Sequence, residues 1–272
     1  MKVERLTLPI EPRSLSGCLD LAVQFNRTWF RPLAGLLGVV AIPALAITAG
    51  LCLATDRGLL YGLLVYFVLS PVLGSLLVAG AGQHVFGDPF EVGRALRLFG
   101  ANAGRLLWHL LVSRVVIALG TLAVVVGLLL VPRYGFLPEV VLLERIRGPR
   151  LRQRLSELRR GVASSLEWSV IVIGVFQLVL TISTFVLADL ACGYLLGFPL
   201  LINRDPGVTG VLDTLDRLLW DPLPVTVLCG LLWATYPLAR LAWFFGYLDQ
   251  RIRNECWDVE LDFRREARGL GR

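Results

Sequence analysis

The sequence predicts an all-α protein: a polytopic transmembrane helical bundle of about six membrane segments, one of them short or re-entrant, with interfacial amphipathic helices. Three observations carry this expectation. Of 272 residues, 56 % are hydrophobic and only 18 % charged, with a mean hydropathy of +0.68. A soluble domain carries about 25 % charged residues, so an aqueous fold could not hide this much apolar surface. The apolar residues are also gathered into long runs, several of them beyond the roughly 20 residues that span about 30 Å of hydrocarbon. Finally, the basic residues collect between alternate runs, as they do in membrane proteins of fixed orientation.

Residues 1–32 hold several charges and no apolar stretch, so no cleavable signal peptide is expected there. They form a first region, followed by a single transmembrane domain at 33–248 and a charged helix at 249–272. Residues 33–54 are 22 positions without a charge, and 59–81 are 23 more. Only Thr55, Asp56, Arg57 and Gly58 separate them, which predicts a tight antiparallel hairpin. A third segment covers 106–131, interrupted by His109 and Arg114 and ended by Pro132. Residues 134–143 are apolar but short and carry Glu139. The run at 168–202 is broken only by Asp189; its first part, 168–188, already spans, and 190–202 either extends it or folds back. The last segment, 222–248, contains Arg240.

Four of these segments follow a stretch with helical apolar periodicity. Leu15, Leu19, Ala22, Val23 and Phe30 mark the first. Val92, Ala95, Leu96, Phe99 and Ala103 mark the second, and Leu151, Leu155, Leu158, Val162 and Leu166 the third. Val208, Val211, Leu212, Leu215 and Leu219 mark the fourth. Such helices lie in the headgroup layer with the apolar face down, and basic residues beside the first three would favour anionic lipid by about 1 kcal/mol each.

Charge placement sets the orientation. Of 27 basic residues, 26 are arginine. With 134–144 returning the chain to the side of residue 105, 21 basic residues fall on one side. Arg57, Arg133, Arg204 and Arg217 fall on the other, and Arg114 and Arg240 inside the membrane. The positive-inside rule then places both termini in the cytoplasm of a bacterial inner membrane, as a multi-pass protein. The net charge of +6 thus reads as orientation rather than nucleic-acid binding.

Chemistry-bearing motifs are scarce. Cys18, Cys52, Cys192, Cys229 and Cys256 stand far apart, without zinc-ligand spacing, and read as unpaired thiols. His84 and His109 have no second ligand at metal spacing. Neither a phosphate-binding loop nor a hydrolase signature occurs, so no cofactor, metal or catalytic group is expected. The candidates for function are the intramembrane polar residues Arg114, Asp189 and Arg240, because ionisable groups there are costly. Depth places Arg114 and Asp189 in different halves, and puts Arg240 where it could stack on Trp243 as a cation–π pair. Pro43 and Pro71 fall near mid-span and free the carbonyls of Val39 and Phe67, the kind of paired helix break found at transporter sites. Gly58/Gly62, Gly100/Gly104 and Gly193/Gly197 fit the close-approach spacing G-x-x-x-G. In the tail, Tyr247, Asp249, Arg251, Arg253, Glu255 and Trp257 offer a partner-docking surface, with Asp249/Arg253, Arg251/Glu255 and Glu260/Arg264 at i,i+4 spacing.

Three stretches carry a family resemblance: L-D-L-A-V-Q-F-N-R-T-W-F-R-P-L at 19–33; L-P-E-V-V-L-L-E at 137–144 with L-R-Q-R-L-S-E-L-R-R-G at 151–161; and Y-L-D-Q-R-I-R-N-E at 247–255 with D-V-E at 258–260. Together they resemble bacterial polytopic proteins related to the membrane domain that accompanies glycerophosphodiester phosphodiesterases. The resemblance implies a helical membrane bundle with interfacial helices and carries no phosphodiesterase activity, which belongs to a separate soluble domain. The expected function is a non-enzymatic integral membrane protein, a scaffold or subunit of a larger assembly, with the lipid bilayer and protein components as partners. A transporter or lipid-handling permease built on Pro43, Pro71, Arg114 and Asp189 is the alternative.

Overall fold

A computed structural model of the chain describes residues 14–55, 58–121, 130–144, 146, 148, 150–160, 163–201 and 219–255. The described elements are all helical. The 56–57 turn, the fourth amphipathic stripe up to 218, Trp257 and the Glu260/Arg264 pair lie outside the described residues. Helix α1 (Leu15–Thr28) starts where the Ser14 side chain accepts from the Gly17 amide at 3.3 Å, which satisfies one of the free amides of the first turn. Trp29 then turns the chain into α2 (Phe30–Ala54), antiparallel to α3 (Gly58–Val85). Gly87, at φ 86°, lets α3 stop: its amide bonds the His84 carbonyl and the Asp88 amide bonds that of Gln83, a left-handed C-terminal turn that a side chain would strain.

Helix α4 (Val92–Thr121) is 30 residues long. The amphipathic stretch at 92–103 is therefore the first three turns of a span and no separate interfacial helix; no proline or helix cap interrupts it. Helix α5 (Leu137–Glu139) runs directly into a π-helical turn, Val140–Glu144. Helix α6 (Arg150–Arg159) is short and buries Leu151 and Leu158. Helix α7 (Ala163–Leu196) and helix α8 (Pro222–Glu255) are 34 residues each. The run at 190–202 both extends and folds back: α7 continues to Leu196, and Gly197, at φ 66°, reverses the chain.

Among the described residues five helices, α2, α3, α4, α7 and α8, are long and apolar enough to cross a membrane. Helix α3 is the centre of the bundle, with 56 % of its most apolar window buried, against 17 % for α7, which leans on α8 at the periphery. The bundle has two distinguishable ends. At one, here the base, Phe25, His84, Phe90 and Phe245 meet ring to ring. At the other, Cys52, Val225 and Cys229 form a small cluster. Close approach there depends on the first glycine pair, since a Cβ on Gly62 would stand 2.6 Å from Cys229 Sγ. Gly100 and Gly104 have open space instead, and Gly193 lies near Pro199. The described ends of the chain, α1 and the last turns of α8, pack together at the base. In α1 the predicted stripe is divided: Ala22 is buried against the bundle while Val23 and Phe30 are exposed.

Residues 135–144 sit in the base half. Gly135 packs on Trp243, Leu143 on Gly82, and Glu144 on Tyr247. Arg133, counted in sequence on the arginine-poor side, instead shares a pocket with Arg152 and Arg159. The short segment thus lies on the base side, and Arg133 belongs with the arginines there.

Candidate functional site: an intramembrane polar cluster

Midway along α3, Ser70 and Pro71 gather the polar side chains of the neighbouring helices. Pro71 has no amide to donate, so the carbonyl one turn back lacks its usual partner, and the helix is locally open to outside donors. Tyr236 of α8 donates its hydroxyl to the Ser70 carbonyl at 2.8 Å. Arg114 of α4 donates from Nη2 to Ser70 Oγ at 3.3 Å, and its guanidinium lies 4.7 Å from the centroid of the Phe67 ring. On the α7 side, Gln177 Nε2 donates to the Tyr66 hydroxyl at 2.7 Å, and Thr181 and Thr235 share a hydrogen bond of 2.8 Å. Gly74 makes this convergence possible, since a Cβ there would lie 2.6 Å from the Tyr236 hydroxyl and 2.8 Å from Arg240 Nε.

One turn further along α8, Arg240 Nη2 lies 2.7 Å from Glu139 Oε1, with the two side chains 9 % and 0 % exposed. The charges neutralise each other, yet neither terminal nitrogen of Arg240 and neither oxygen of Glu139 has an aligned hydrogen bond. Nearer the base, Glu144 accepts from Tyr247 at 2.6 Å and from Arg154 at 2.7 and 3.2 Å, with Arg251 Nε 3.6 Å away. The segment 137–144 therefore delivers two carboxylates to α8, one at Arg240 and one about two turns further on at Tyr247.

A cavity of about 230 Å³ lies against the cluster, lined by Pro71, Arg114, Tyr134, Gln177, Tyr236 and Arg240 among others. Its walls include α4, which packs on α3, α7, which packs on α8, and the chain at 131–138. Two guanidinium groups line the cavity. Among the described residues only Arg240 has a carboxylate beside it; Arg114 has a hydroxyl and a ring. The described lining of the chamber therefore carries about one uncompensated positive charge.

The structure sorts the predicted residues. Arg114, Arg240 and Pro71 come together here. Arg240 pairs with Glu139 instead of stacking on Trp243, whose ring lies on Phe136 at a centroid distance of 4.9 Å; a bare carboxylate attracts a guanidinium more strongly than a ring face does. Asp189 stands apart: it is 1 % exposed and its Oδ1 accepts from the Leu201 amide at 2.7 Å, tying down the reversal after α7. Pro43 is exposed on the outside of α2, which continues through it, so the two prolines do not form a paired break. In the tail, Tyr247 and Arg251 turn inward to Glu144, while Asp249 bonds Arg253 at 2.8 Å. Glu255 ends α8. His84 is an aromatic neighbour of Trp29, and His109 bonds the Arg105 carbonyl at 2.8 Å. Sequence reasoning missed Ser70, Tyr236, Gln177 and Glu144. Glu139 stood in an apolar run, the same signal that singled out Arg114.

No family model, no curated protein and no solved structure matches the chain. The fold and the cluster define a class: a multi-pass integral membrane protein with ionised and polar side chains gathered at the middle of its spans.

Proposed function

We propose that the protein is a non-enzymatic, multi-pass protein of the bacterial cytoplasmic membrane that handles an amphiphile, as a permease or lipid-handling protein. The observation that carries this reading is the cavity walled by α4 and α7, which holds Arg114, without a carboxylate partner among the described residues, at the level of Ser70 and Pro71. A lone guanidinium within a bilayer is costly, and a retained cost of this kind fits a site whose partner arrives with the ligand. The polar part of an amphiphile reaches Arg114 and Tyr236 sideways, while its chain stays in the hydrocarbon outside. The arginine-rich base faces the cytoplasm, with α1 and the end of α8 on that side. The resemblance to the phosphodiesterase-associated membrane domain fits a lipid-facing role without hydrolysis, and the sequence offers no nucleophile and base at catalytic spacing. Membership of a larger assembly rested on a collar of interfacial helices and the charged helix at 249–272. In the described part of that helix Arg251 turns inward to Glu144, and the stretch at 92–103 continues into a span, so the cavity carries the stronger argument.

Reconstitution tests the proposal. Liposomes containing the protein should exchange a fluorescent anionic phospholipid between leaflets faster than empty liposomes, and Arg114→Gln should slow the exchange. Equal rates with and without protein would remove the reading.

A further inference from the structure

A second cavity, of about 330 Å³, lies at the base between α6 and the chain just before α5, lined by Arg133, Tyr134, Arg152, Leu155, Ser156 and Arg159. We propose that its three arginines form a cradle for the phosphate of an anionic phospholipid headgroup. Among the described residues no carboxylate lines this cavity. The acids nearest in the chain are engaged elsewhere: Glu144 and Glu157 both pair with Arg154, at 2.7 and 3.7 Å. The Arg159 Nε is enclosed without a hydrogen-bond partner. Three like charges on one small pocket repel one another, and an anion placed among them removes the repulsion and supplies the acceptor that Arg159 lacks. Guanidinium groups hold phosphate oxygens in pairs, and the Ser156 hydroxyl adds a donor.

The position selects a lipid as the source of that phosphate. Leu151 and Leu158 anchor α6 to the bundle, so the cradle sits at the end of the spans, at headgroup level. Tyr134 is a wall of both this cavity and the intramembrane one. A phosphate held by the arginines thus has its acyl chains beside the route to Arg114. This inference rests on the amphiphile-handling reading and names its substrate class, a phospholipid with net negative charge.

The test is native mass spectrometry of the purified full chain in detergent, with phosphatidylglycerol, phosphatidic acid and phosphatidylcholine of identical acyl chains. Each charge-assisted hydrogen bond lost changes affinity by about tenfold or more. The wild type should therefore retain an anionic lipid over phosphatidylcholine by at least about tenfold, and Arg133→Gln/Arg152→Gln/Arg159→Gln should abolish the preference. A control with the same charge change at exposed base positions, Arg27→Gln/Arg31→Gln/Arg97→Gln, should keep it. An equal fall in both triple variants would mean diffuse surface charge and overturn the cradle, as would the absence of any preference in the wild type. Complete displacement of the lipid by millimolar inorganic phosphate would overturn its assignment to a lipid. Headgroup preference without leaflet exchange would leave the cradle and remove the permease reading; exchange without preference would do the reverse.

Discussion

At the scale of single residues, the two buried arginines are in opposite situations, and substitution separates them. Arg240 and Glu139 are buried together at 2.7 Å. Removing one partner strands the other as an unpaired charge, which costs about 3–5 kcal/mol. Arg240→Gln should therefore lower the unfolding free energy by about that amount, and Arg240→Gln/Glu139→Gln should recover most of it, measured by denaturant titration in detergent. Among the described residues Arg114 has a hydroxyl at 3.3 Å and a ring beside it but no carboxylate. Arg114→Met relieves an uncompensated charge, so the unliganded protein should melt no lower than wild type while lipid exchange falls. A lower melting temperature for Arg114→Met than for wild type would mean that the guanidinium is structural.

At the scale of elements, packing of helices in lipid draws little on the hydrophobic effect, because acyl chains are as apolar as leucine. Close approach and hydrogen bonds decide which faces meet. Gly74 is where α3 meets Tyr236 and Arg240, whereas Gly100 of α4 has nothing within 4 Å of an added Cβ. Gly74→Leu should separate α3 from α8 and abolish a monodisperse folded peak on size exclusion. Gly100→Ala should be neutral or stabilising by about 0.5–1 kcal/mol, the usual gain from replacing a mid-helix glycine. The segment expected to be short or re-entrant is 134–144. It is too short to span and carries Glu139, and its two carboxylates face Arg240 and Arg251 of α8.

At the scale of the whole molecule, the prediction concerns sidedness. Arg133 and Arg152 line one pocket, while Thr55 lies at the end that holds Cys52 and Gly58. In a variant cleared of its native cysteines, Arg133→Cys and Arg152→Cys should be labelled only from the cytoplasmic side, and Thr55→Cys only from the opposite one. Labelling of Arg133→Cys with Thr55→Cys would refute the placement of Arg133 on the base side. The fold class and all five long spans were legible in the sequence, because a run of apolar residues must be helical and must cross once it is placed in hydrocarbon. The candidate site was legible only in part. Arg114, Arg240 and Pro71 announce themselves by being costly or disruptive within a span, whereas Ser70, Gln177 and Tyr236 are ordinary in such helices and matter only through what faces them.

The sequence by itself determined the five long apolar spans and which stretches between them are rich in arginine, since both follow from transfer of side chains between water and lipid, one segment at a time. Tertiary structure alone decided which charges pair. Tyr236 reaches Ser70 across 166 residues of chain, and Arg240 turns to Glu139 and away from the ring of Trp243 three positions on. Hydropathy fixes the depth of a helix but leaves its rotation about its own axis almost free, and that rotation, set by glycine contacts and polar pairing, places Arg114 in the cavity and Pro43 outside it.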